Sequence, residues 1–127
     1  MIKFSELNTA KSCEGLVPAI IQDDDTRQVL MLGYLNEEAF DKTVAEGRVT
    51  FFSRTKGRLW TKGETSGNYL HVKSIAKDCD ADTLLIRVVP AGPVCHTGSK
   101  TCFGGRENEG FIGLLQSVIR QRHRDMP

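Results

Sequence analysis

Two short apolar runs, Gly15 to Gln22 (GLVPAIIQ) and Val29 to Leu35 (VLMLGYL), flank the polar stretch Asp23-Asp24-Asp25-Thr26. Such runs fall well short of the ~20 residues that carry a helix across a bilayer. Their β-branched content and the polar interruption predict a β-hairpin with the three aspartates at its tip. Met1 to Ala10 lacks the charged-then-apolar order of a secretory signal, so the chain reads as soluble and cytoplasmic, with no membrane partner. Its 127 residues, 39% of them hydrophobic, suit one domain with an ordinary core.

Beyond the hairpin, Asn36 is placed to cap a helix whose first turn holds Glu37 and Glu38. Ala39, Phe40, Val44 and Ala45 recur at helical spacing, and Gly47 supplies the stop. Strands are expected over 49–53 and 58–62 about a Lys56-Gly57 turn, then over 69–75 and 83–89. Residues 90–105 carry two prolines and four glycines and predict a shaped loop. Phe111, Ile112, Leu114, Leu115, Val118 and Ile119 form a helical stripe that runs into Arg120, Arg122 and Arg124. The expected class is α+β, mostly β, with one mid-chain helix and a C-terminal helix.

The acidic stretch Asp78-Cys79-Asp80-Ala81-Asp82 carries the most chemistry. If extended, it puts the three aspartates on one side and Cys79 on the other. Converging carboxylates repel, so they need raised pKa values or a hard cation such as Mg²⁺. The plainer reading is a solvated acidic turn. Cysteines stand at 13, 79, 95 and 102, and without a secretory signal they read as reduced thiols or metal ligands. There is no C-x₂-C knuckle, yet Cys79, Cys95 and Cys102 could give three thiolates to Zn²⁺ with a fourth position open to water. Buried or unused thiols are the alternative. His96 reads as a further ligand, a general acid/base or an ordinary loop histidine, and Cys13 as structural.

From Phe51 to Asn68 the chain reads FFSRTKGRLWTKGETSGN. Arg54, Lys56, Arg58 and Lys62 surround the only tryptophan, Trp60, and Ser66-Gly67-Asn68 follows. Cations and an indole face could hold phosphates and stack a base, and a cationic exposed hairpin is the bland alternative. With 17 Lys plus Arg against 16 Asp plus Glu, the formal charge is only +1. That balance argues against nucleic acid as a partner, because nonspecific affinity for it needs surplus cations.

Taken together, FFSRTKGRLWTKGETSGN, DCDAD at 78–82, and GPVCHTG with TCF at 92–103 resemble the phosphoribosyl-AMP cyclohydrolase family, as do GLVPAIIQ and VLMLGYLNEEA. The resemblance implies a Zn²⁺- and Mg²⁺-dependent hydrolase of histidine biosynthesis. Such an enzyme opens the adenine ring of 1-(5-phosphoribosyl)-AMP at the N1–C6 bond. It implies a small cyclohydrolase-type sheet or barrel-like domain over residues 1–108, in an intertwined homodimer. Zinc would be shared, with Cys79 from one chain and Cys95 and Cys102 from the other, while Asp78, Asp80 and Asp82 match magnesium ligands. Sharing also suits reach: a strand over 83–89 spans roughly 23 Å at ~3.3 Å per residue, and residues 90–94 are few for a return to Cys79. Arg54, Trp60, Lys62, Glu64, Ser66, Gly67 and Asn68 are expected to bind substrate, and His96 to carry the proton.

GFIGLLQSVIRQR, within the helical tail 109–127, resembles the opening helix of a phosphoribosyl-ATP pyrophosphohydrolase domain, which some organisms fuse behind the cyclohydrolase. The competing class is noncatalytic: a zinc-stabilised module that binds nucleotides or RNA through its basic hairpin.

Overall fold

The computed structural model describes residues 2–10, 15–104, 115, 116 and 118–122. Cys13, the 108/109 boundary, and Phe111, Ile112, Leu114 and Arg124 of the C-terminal stripe lie outside the described residues.

The expected hairpin forms as β1 (Val17–Asp23) and β2 (Val29–Leu35), paired antiparallel from Val17 opposite Leu35. Asp23 shapes its tip, accepting through Oδ1 from the backbone N–H groups of Asp25 (2.8 Å) and Thr26 (3.2 Å). Helix α1 (Glu37–Glu46) starts where Asn36 Oδ1 accepts from Ala39 N–H at 2.8 Å. It ends at Gly47, whose φ of 70° lies in the left-handed region that glycine enters without a Cβ penalty. Strands β3 (Thr50–Ser53) and β4 (Arg58–Thr61) make a second hairpin, followed by β5 (Leu70–Lys77) and β6 (Leu84–Pro90). Residues 115, 116 and 118–122 are helical, with Leu115, Val118 and Ile119 exposed.

The main sheet runs β2-β1-β6-β5, and β3–β4 stands as a separate pair. Its central seam is parallel: Ala19 faces Leu84 and Asp23 faces Val88. The outer pairs are antiparallel. The form is therefore an open sheet with edges at β2 and β5, not a closed barrel. A lone bridge, Arg48 to His71, joins the base of the second hairpin to β5.

Both central strands bury alternate residues on the same side. Val17, Ala19 and Ile21 of β1, and Leu84, Ile86 and Val88 of β6, are all at 0% exposure. Ala39 and Phe40 of α1, with Phe51 of β3, join this core. A buried run of hydroxyls ties the helix to the second hairpin. Thr43 donates to the Ala39 carbonyl (2.8 Å) and accepts from Thr50 N–H (2.9 Å), while the Thr50 and Thr61 hydroxyls bond at 2.8 Å. The N-terminal segment packs across the same body. Leu7 is buried, Phe4 lies 5.8 Å from Phe40, and Asn8 N–H donates to the Ala81 carbonyl at 2.7 Å.

Candidate active site

The acidic stretch is a turn, as its plainer reading had it, and not the extended segment that would put Cys79 opposite the aspartates. It is the turn joining β5 to β6, beyond the closing Lys77–Leu84 pair. Asp78 forces this shape. Its Oδ1 accepts from the N–H groups of Asp82 (3.0 Å) and Thr83 (3.2 Å), and its carbonyl accepts from Ala81 N–H (3.1 Å). Short aspartate side chains compete with a strand ladder in this way. Ala81 takes φ 59°, a conformation a non-glycine residue holds at some cost.

The carboxylates converge all the same: one oxygen from each of Asp78, Asp80 and Asp82 lies within 4.8 Å of the others. Although Asp78 is exposed, loss of water around its carboxyl raises its pKa, and the carboxyls of Asp82 and Asp80 add to the rise. The backbone N–H groups of Thr83 and Asp82 pull it down. An oxygen-only trio of this kind fits a hard divalent cation.

The second chemical segment begins after β6. Val94 is buried and anchors it, Cys95 N–H donates to the Ser99 carbonyl (3.0 Å), and Gly98 N–H returns to the Cys95 carbonyl (3.0 Å). Further on, the Thr101 hydroxyl donates to the Val29 carbonyl (2.7 Å), and Cys102 N–H to that of Leu30 (2.8 Å). These bonds pin Cys102 to β2. The Cys95 and Cys102 thiols are close enough to influence each other. The Thr97 hydroxyl donates to Cys95 Sγ at 3.1 Å and is the main cause of its lowered pKa. Cys102 is pushed up, first by desolvation of its thiol and then by the charge of Cys95, while Lys62 pulls it down. A pair of neighbouring thiols, one of them with its pKa lowered, fits zinc. The aspartate trio is the only set of three His, Cys, Asp or Glu ligand atoms mutually within 4.8 Å among the described residues, so the thiols of Cys79, Cys95 and Cys102 do not all lie that close together.

A cleft of about 430 Å³ lies beside Cys95. One wall is Trp60, Lys62 and the polar loop with Thr65, Ser66 and Asn68; the other is Pro93 to His96 with Gly98. Two segments far apart in sequence, the basic stretch and the thiol loop, thus face each other. Lys62 Nζ stands 5.2 Å from the Trp60 ring, and exposed His96 has Nδ1 3.9 Å from Cys95 Sγ.

Other expected contacts fall elsewhere. Arg54 stacks over Tyr34 at 4.3 Å and lines a separate hollow of about 520 Å³, which also has Trp60 in its wall. Glu64 is exposed and pairs with Arg58 at 3.2 Å. Gly67 turns the polar loop, its N–H donating to the Gly63 carbonyl at 2.7 Å. Thr97 and Tyr34 were not singled out by sequence. A threonine two residues after a cysteine is a recognisable local donor, whereas nothing local pairs Tyr34 with Arg54.

Residues 31–104, more than half of the chain, match the family model for phosphoribosyl-AMP cyclohydrolase. The chain is 66% identical over 115 residues to the histidine biosynthesis bifunctional protein HisIE of Bacteroides thetaiotaomicron, covering 89% of this chain and 57% of that protein. Against the Staphylococcus aureus (strain COL) protein of the same name, identity is 67% over 105 residues, with 83% and 50% covered. Against that of Escherichia coli (strain K12) it is 54% over 118 residues, with 92% and 58% covered. The chain spans about half the length of the curated relatives it matches. On the extent of the family match and these identities, the chain belongs to the phosphoribosyl-AMP cyclohydrolase family.

Proposed function

We propose that the cleft beside Cys95 hydrolyses the N1–C6 bond of the adenine ring of 1-(5-phosphoribosyl)-AMP, in histidine biosynthesis. The observation that carries this reading is the cleft itself. It joins a cation and an indole face to the Cys95 thiol and a histidine within one cavity. Lys62 holds a substrate phosphate and Trp60 offers the base a π-face, with Ser66 shaping the approach. Arg54 takes a phosphate from the neighbouring hollow.

Zinc held by Cys95, Cys102 and Cys79 of the partner subunit would lower the pKa of water towards neutrality. Magnesium on Asp78, Asp80 and Asp82 would neutralise the turn. In the reaction, oxygen from water is added to C6, the N1–C6 bond breaks, and N1 takes a proton. The 6-amino group becomes a carboxamide amine, and the product is the ring-opened phosphoribosyl-formimino aminoimidazole carboxamide ribotide. His96, beside Cys95 and open to solvent, carries the proton. The working unit in this reading is an intertwined homodimer in the cytoplasm, where a reducing environment keeps thiols available to a metal.

Ring opening of 1-(5-phosphoribosyl)-AMP by the purified chain, followed spectroscopically, tests the reading. Turnover is expected, with loss on chelation and return on adding Zn²⁺ and Mg²⁺. Nucleotide binding without turnover in the metal-loaded chain would overturn it in favour of a binding module.

A further inference from the structure

The two walls of the cleft touch at Asn68. Its side-chain amide donates to the Pro93 carbonyl at 3.2 Å, two residues before Cys95. Its carboxamide fills the space a side chain on Gly92 would need, since a Cβ there would collide with Asn68 Oδ1. On the other flank lies Gly63, at φ 92°. The Asn68 carbonyl carbon and oxygen pass 2.5 and 2.6 Å from where a Gly63 Cβ would stand. The neighbouring backbone is closed as well: Asn68 N–H donates to Ser66 Oγ (3.2 Å), and Ala91 N–H to the Tyr69 carbonyl (2.9 Å). The partner of the side chain is a carbonyl, so the group serving it must be a donor. An amide NH₂ qualifies, and a carboxylate of the same shape does not.

We propose that Asn68, seated between Gly63 and Gly92, is a positioning residue that clasps the thiol loop to the basic wall and sets the separation of Lys62 from Cys95. Its kinetic consequence rests on the reaction proposed above. The clasp itself belongs to the metal-free chain. Substrate phosphate binds one wall and the reacting atoms meet the other, so loosening the clasp misplaces the ring against the thiol loop without removing a phosphate contact. The loss then appears in kcat rather than in KM. A misplacement of about 1 Å costs up to roughly a hundredfold in rate.

A double-mutant cycle of Gly92→Ala and Asn68→Ala tests this, with Asn68→Asp as the variant that keeps the shape and loses the donor. Gly92→Ala alone is expected to lower kcat roughly tenfold to a hundredfold, because its methyl displaces the carboxamide. In the Asn68→Ala background the same methyl has room and costs little further, a non-additivity expected of groups in contact. Asn68→Asp should lower kcat as Asn68→Ala does, with KM within about twofold and Tm nearly unchanged. The iodoacetamide reaction rate of Cys95 in the metal-free chain gives a second cycle that needs no turnover, and it should show the same non-additivity. Equal cost of Gly92→Ala in both backgrounds, or full activity in Asn68→Asp, would overturn the clasp. If the parent chain opens no ring, the reaction fails, and the alkylation cycle alone decides the clasp.

Discussion

Cys95 and Cys102 share Lys62 as a neighbour yet shift in opposite directions, because the Thr97 hydroxyl serves one thiol and desolvation governs the other. The thiolate is the nucleophile, so the pH at which each thiol begins to alkylate follows its pKa. In the metal-free chain, Cys95 is expected to react with iodoacetamide along a pH profile centred below the ordinary 9.0, and Cys102 along one centred above it. Lys62→Met removes a charge that favours both thiolates and should move both profiles upward. Peptide-resolved mass spectrometry reads this out, and coincident profiles would refute it. At this scale the sequence was legible where chemistry resides in residue type: the thiols and carboxylates were identifiable by their donor atoms alone. The geometry of Asp78 to Asp82 was left open between an extended segment and a turn, and the two backbone N–H groups captured by Asp78 are what select the turn.

Elements with their determinants close in sequence were readable at once. Asn36 and Gly47 stand at the two ends of α1, and Asp23 to Thr26 at the tip of β1–β2, as their side-chain and backbone preferences require. What joins the elements left no comparable trace. Thr43 looks like any helical threonine, yet its hydroxyl is the acceptor for Thr50 N–H in the buried contact between α1 and β3. Thr43→Val keeps the shape and leaves that N–H unpaired away from water. A loss of about 1–3 kcal/mol in unfolding free energy is expected. Urea titration checks it, and an unchanged midpoint would show that the hydroxyl run contributes nothing net. The meeting of the 62–68 loop with Pro93 and Gly92 is equally non-local, and for that reason the basic segment and the shaped loop were read from sequence separately.

Across the whole molecule, the proposed sharing of zinc between Cys79 of one chain and Cys95 and Cys102 of the other has a direct test. Mixing Cys79→Ser with Cys95→Ser under subunit exchange should restore up to half of the activity of the heterodimer. With shared sites, one site then carries both lesions and the other neither. No recovery in heterodimers shown to form would place each zinc site within a single chain. The parallel seam of the sheet bears on something else, the order in which the chain can assemble. β1 is made early and finds β2 at once, but its other edge waits for β6, so Ala19 stays unpaired on that side until Leu84 has been synthesised. On a ribosome the first hairpin therefore emerges with one flank open. The protein cannot complete its main sheet until most of the family-matching region has left the exit tunnel.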